Sequence, residues 1–162
     1  NAWNVRDGAL VLYASMPAEP WSAAVRVQMS ANADEVCGLT MYSGPDGATL
    51  PLHLGLQWAS EPCASGYSAS YQTTGAGISF GSVSGGGAYQ SNAHDCSLAD
   101  ADAQTGWTWF RLSRGVDGTV HAEWSTEDST APPTSGWVLL STFQISSSPD
   151  RVGLLHKTGT AA

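Results

Sequence analysis

Four residues of this chain combine types that suit recognition of a sugar: Trp109, Arg111, His121 and Glu123. They supply a flat ring, a planar guanidinium fork, an imidazole and a carboxylate. A ring packs against the apolar C–H face of a pyranose, and planar polar groups take paired hydroxyls. Their common face follows from a register argument. Phe110, Leu112 and Arg114 alternate with Trp109, Arg111 and Ser113, and Val120, Ala122 and Trp124 alternate with Thr119, His121 and Glu123. Only a loop of odd length keeps both apolar sets on one face. A three-residue loop, Val116-Asp117-Gly118, does so, with Gly118 left-handed at a bulge. Leu112 is then opposite Ala122 and Phe110 opposite Trp124, toward a core. Arg111 is opposite Glu123, and Ser113 opposite His121, on the other face. The plainer reading is a cross-strand ion pair on a solvated face, with Trp109 covered by a loop.

Two further sets are candidates for the same surface. His53 and Gln57 lie on the run Leu50 to Trp58, and join the site if that strand belongs to the same sheet. Tyr89 lies in the long segment Ser84 to Asp102, with Gln90, Asn92, His94 and Asp95. A loop of that length is expected either to form a rim over a sheet or to be a tethered Ω-loop held by Cys96. Trp21, Trp58, Trp124 and Trp137 fall on inward positions or strand starts and are expected in the core. Trp3 and Trp107 have no assigned place.

Catalytic patterns are not found. Glu123 is the glutamate placed centrally on an expected strand, and Glu127 follows in a turn, so an acid pair across a glycosidic bond has no shared strand. Gly81-Ser-Val-Ser-Gly85 resembles a nucleophile elbow in letters only, because no helix follows it. The acidic pairs Asp34/Glu35, Asp100/Asp102 and Glu127/Asp128 read as solvated loop residues. No Cys-x-x-Cys spacing suggests zinc. Of the cysteines, Cys37 shares a strand face with Leu39 and Met41 and is expected to be a buried thiol. Cys63 and Cys96 lie in polar stretches and are expected to bridge, the alternative being three reduced thiols.

The elements that must position these residues are strands. Leu50, Leu52, Leu54, Leu56 and Trp58 alternate without error against Pro51, His53, Gly55 and Gln57, and Ala23, Val25, Val27 and Met29 do so against Ala24, Arg26 and Gln28. Period two of this kind marks half-buried strands. Further strands are predicted over 9–14, 36–43, 67–73, 77–83, 107–114, 119–125, 136–143 and 151–155, and Ser97 to Gln104 is a candidate short helix with Ser97 as its cap. The 162 residues suffice for one domain, 1–162, with its own core. Charged residues are 12% and the net charge is −8. The six basic residues form no run, which argues against nucleic acid and against an anionic membrane surface. No apolar run approaches a membrane span. The chain opens at Asn1 without a leader, and is read as a mature or excised piece of a longer secreted or surface protein.

Taken in order, several segments carry a likeness. They are Trp3-Asn-Val-Arg-Asp-Gly-Ala-Leu-Val-Leu, Pro20-Trp21-Ser-Ala-Ala-Val-Arg-Val and Cys37-Gly-Leu-Thr-Met-Tyr. They continue with Trp109-Phe-Arg-Leu-Ser-Arg, the Asp117-Gly118 turn, His121-Ala-Glu-Trp-Ser, Trp137-Val-Leu-Leu and Val152-Gly-Leu-Leu. Over residues 3–156 the chain resembles the concanavalin A-like lectin/glucanase superfamily, and within it the non-catalytic modules of bacterial secreted proteins. The resemblance implies an all-β fold, a jelly-roll sandwich of two antiparallel sheets, one of them concave and often sugar-binding. It also implies that calcium is a possible loop-ordering ion. The family's Glu-x-Asp-x-x-Glu string, which serves its laminarinase-type enzymes, is not present. The strand that often closes the family fold after Val-Gly-Leu is either missing or supplied by the N-terminal piece.

The expected function is therefore a non-catalytic extracellular binding module with a glycan ligand. The rivals are a structural or adhesion module that contacts neighbouring protein domains in a surface assembly, and an unrecognised glycosidase. A lectin is expected to expose Trp109 or another ring in a groove. A structural module is expected to expose an apolar patch or an unpaired sheet edge.

Overall fold

The computed structural model describes residues 9–15, 18–28, 35–43, 49–59, 66–73, 90–95, 106–144 and 151–157. These residues form strands in antiparallel sheets, and no helix occurs among them. The strands are β1 (Ala9–Ser15), β2 (Trp21–Val27), β3 (Glu35–Ser43), β4 (Thr49–Ala59), β5 (Gly66–Thr73), β6 (Gln90–Asp95), β7 (Thr108–Arg114), β8 (Thr119–Ser125), β9 (Val138–Gln144) and β10 (Arg151–Lys157). One sheet has six strands in the order β1-β10-β3-β4-β5-β6, and the other has four in the order β2-β7-β8-β9.

Within the described residues the period-two runs became strands where the sequence placed them, with ends moved by a residue or two. One segment differs. Gln90–Asp95, expected within a rim or Ω-loop, is strand β6 at the edge of the six-stranded sheet, opposite Ala69–Thr73. Its sequence, Gln-Ser-Asn-Ala-His-Asp, has no apolar alternation, and an edge strand needs little. The strand expected at 77–83, the helix expected at 97–104, Tyr89 and the Cys63–Cys96 bridge lie outside the described residues. The N-terminal strand β1 pairs with β10, from Ala9 opposite Lys157 to Ser15 opposite Arg151.

The hairpin β7–β8 follows the register argument. Leu112 is opposite Ala122, Phe110 opposite Trp124, Arg111 opposite Glu123 and Ser113 opposite His121. The Gly115 N–H donates to the Thr119 carbonyl at 2.9 Å, which closes residues 116–118 as the loop, and Gly118 has φ 80°. That left-handed value suits glycine, which lacks the Cβ that strains it. Asp117 braces the turn by accepting from the Thr119 N–H at 3.0 Å and the Thr119 hydroxyl at 2.8 Å.

The hydrophobic core draws on both sheets. Trp21, Val27, Phe110, Leu112, Val120, Ala122 and Trp124 come from the four-stranded sheet, and Leu39, Met41 and Val152 from the six-stranded one. Phe110, Leu112 and Met41 are fully buried, and each contributes roughly 1.5–3 kcal/mol through burial. Cys37, expected to be buried, is a free thiol that is partly buried and packs against this cluster. Trp109, Arg111 and Ser113 alternate with Phe110 and Leu112, so they belong to the outer face of the four-stranded sheet.

Candidate functional site

Three register rows cross that outer face. Arg26, Trp109 and Ser125 form the first, Ala24, Arg111, Glu123 and Leu139 the second, and Ser22, Ser113, His121 and Thr142 the third. A bulge between Ala122 and Glu123 in the β8–β9 pairing brings Leu139 into the second row.

The middle row is a clamp. Arg111 donates from Nε to Glu123 Oε2 at 2.7 Å and from Nη2 to Oε1 at 2.8 Å. This fork-to-fork pairing is the strong form of a charge-assisted contact. On the guanidinium lies the ring of Trp137, 4.2 Å from Arg111 Cζ to the ring centroid. Trp137 is held in turn by its indole N–H, which donates to the Pro133 carbonyl at 2.8 Å. Trp137 was expected in the core; it is half-buried on the outer face, because the segment 126–137 folds back across the sheet. Asp128 of that segment pairs with Arg26. The segment is thus tied to the sheet on both sides of Trp109, at Arg26 and at Arg111.

Trp109 is 5% exposed. It does not present its ring to solvent, and the expectation of a sugar platform there is corrected. The strand period placed it on the outer face correctly, but the covering segment carries Pro132-Pro133, whose path no periodicity reports. Trp107, left without a place by the sequence, is instead 45% exposed, with Arg26 Cζ 5.1 Å from its ring centroid.

The third row remains open. An open groove of about 600 Å³ is lined there by Ser22, Ser113, His121, Arg111, Glu123 and Arg114, among others. His121 and Ser22 are exposed. Glu123 has 14% of its side chain exposed and Arg111 27%, so the pair forms a partly buried wall. Arg114, 8% exposed, stands at the end of the groove and is paired with Glu19. Donors and acceptors alternate along this wall. Arg111 uses one edge of its guanidinium on Glu123 and keeps its Nη1 end, while each carboxylate oxygen of Glu123 retains a lone pair. Vicinal hydroxyls can donate to the carboxylate and accept from the guanidinium side by side. At the turn beside the groove, Asp117 has its carboxyl held below the ordinary 3.8, first by the Thr119 backbone N–H and then by the Thr119 hydroxyl.

Of the other expected site residues, His53 and Gln57 lie on β4, in the six-stranded sheet, opposite Thr40 and Val36 of β3. The condition for their joining Arg111 and Glu123, a common sheet, is not met. Among the described residues no group of three or more His, Cys, Asp or Glu side chains is placed to hold a metal ion. No family model, no curated protein and no solved structure gives a significant match to the chain.

Proposed function

We propose that this chain is a non-catalytic, extracellular glycan-binding module whose two sheets pack as a concanavalin A-like sandwich. The observation that carries the ligand class is the groove wall. Arg111 and Glu123 form a bidentate pair, fixed from behind by Trp137, beside the exposed imidazole of His121 and the Ser22 and Ser113 hydroxyls. A wall ordered before the ligand arrives spares the ligand the cost of ordering it. Binding is favoured over hydrolysis because both oxygens of Glu123 accept from Arg111. A glycosidase needs two carboxylates across the scissile bond, and among the described residues Glu123 is the carboxylate that lines this groove. The sandwich arrangement is supported by the core that gathers side chains of both sheets.

The test is a glycan-array screen of the folded protein, with and without calcium, followed by His121→Ala. The reading expects a family of related hits and roughly a tenfold loss of affinity in the variant, equivalent to about 1.4 kcal/mol. A blank array, or hits that His121→Ala leaves untouched, sinks this site.

A second reading has one observation in its favour. Strand β9, Val-Leu-Leu-Ser-Thr-Phe-Gln, stands at the end of the four-stranded order, carries no charge, and exposes Val138 at 42% and Leu139 at 55%. Uncharged edges of this kind invite pairing with another chain. A structural module in a surface assembly uses such an edge, and a blank array together with self-association in light scattering favours it.

A further inference from the structure

Trp107 stands immediately before β7, at the other end of the outer face from the groove. Single exposed apolar residues such as Val116, at 79%, need no explanation. Trp107 differs in two respects. Its ring is large and flat, and it is oriented by a charged pair. The guanidinium of Arg26 lies over it, and Arg26 is itself paired with Asp128. One ring face lies beneath a cation, and 45% of the residue is open. The group on the ring is polar: Arg26, paired with Asp128, whose side chain is 96% exposed. A protein-binding hot spot sits instead in a well-packed pocket whose surrounding contacts exclude water. A flat, half-open ring beside a charged pair suits a ligand with one apolar face and a hydroxylated rim.

We propose that Trp107, braced by Arg26 and Asp128, is a second glycan platform. Its ligand is an equatorially linked pyranose chain whose flat C–H face stacks on the indole while its hydroxyls reach Asp128. This shares the ligand class of the groove but stands on a different set of residues. At strand rise, Trp107 lies about 20 Å from Ser113 in the groove, and the 126–137 segment runs between the two. A short oligosaccharide occupies one site at a time, whereas a polymer engages both and gains avidity without any new contact.

The experiment compares wild type, Trp107→Ala and His121→Ala by calorimetry with cellohexaose and N-acetylchitohexaose. It adds affinity electrophoresis in hydroxyethyl cellulose and in glycol chitin. The expected result is retardation of wild type in at least one gel and a tenfold or greater loss of apparent affinity in Trp107→Ala. His121→Ala should show a separate loss. Retardation of Trp107→Ala equal to wild type overturns the platform, whatever His121→Ala does. A loss in Trp107→Ala with none in His121→Ala supports the platform and overturns the groove. A wild type that neither gel retards overturns the platform. Oxidation by N-bromosuccinimide, mapped by mass spectrometry, supplies a readout on the unmutated protein. Trp107 should be modified before buried Trp21, Trp109 and Trp124, and bound hexasaccharide should protect it. Oxidation of Trp107 unaffected by saturating ligand overturns the platform even where Trp107→Ala does not fold.

Discussion

The clamp on the outer face makes a quantitative prediction. Replacing Glu123 by Ala leaves a partly buried guanidinium that has lost both of its carboxylate contacts. Fully exposed pairs contribute about 0–1 kcal/mol, and breaking a fully buried one costs about 3–5 kcal/mol. With side-chain exposures of 27% for Arg111 and 14% for Glu123, the cost of Glu123→Ala falls between, near 2 kcal/mol. Arg111→Ala also removes the cation beneath Trp137, which adds about 0.5–1 kcal/mol and brings its cost to about 2.5 kcal/mol. The double variant should cost about 3 kcal/mol, leaving a coupling of about 1.5 kcal/mol. Urea unfolding followed by tryptophan fluorescence measures this cycle, provided the m-value is unchanged. In 1 M salt the coupling should largely persist, because partly buried charges are screened less than exposed ones. Single costs that sum to the double within about 0.3 kcal/mol, or a coupling abolished by salt, would show the pair to be a loose surface contact. The wall of the groove would then not be ordered in advance, and a ligand would have to order it on binding.

Two other outcomes are expected. Phe110→Ala, at a position with no exposure, should cost about 3–5 kcal/mol in urea melts; a cost under about 1 kcal/mol would mean that Phe110 is not central to the core. Asp117→Asn should lower stability at neutral pH, because the Asp117 carboxyl is held below 3.8 in the folded chain by its bonds to Thr119. A lowered folded value gives stability that is fully present above the unfolded value and is lost as pH falls through the folded one. The gap between wild type and variant should therefore close below about pH 4, and a gap that widens with acid contradicts the assignment.

The hairpin was the most legible part of the chain, because two apolar runs with period two and a left-handed glycine leave one loop length that keeps both runs on one face. Arg111 opposite Glu123 followed from that alone. Burial across the hairpin did not follow. Trp109 is buried and Trp137 lies on the outer face, since covering a sheet face depends on where residues 126–137 run, and that path is set by Trp137 and Asp128 meeting Arg111 and Arg26, remote in sequence. Strand β6 carries no strand signal in its sequence, because pairing with β5, not apolar alternation, makes it a strand. His53 and Gln57 sit on the most regular strand pattern of the sequence, yet period says nothing about which sheet a strand joins. Trp107 carried no sequence signal beyond its type, as its exposure depends on Arg26 arriving from β2.

The pairing of β1 with β10 has a mechanical meaning. Ala9 lies opposite Lys157, and the two strands run antiparallel from there to Ser15 and Arg151. Tension drawn through the two flanks of the described strands therefore enters at one end of the ladder. The inter-strand hydrogen bonds then open one after another, as in a zipper, and do not bear the load together as they do in shear. Placed in series within a stretched surface protein, this sheet would release β1 at low force, while the hairpin and clamp of the four-stranded sheet lie outside the line of pull. A ligand held on the outer face would stay bound as the molecule begins to extend.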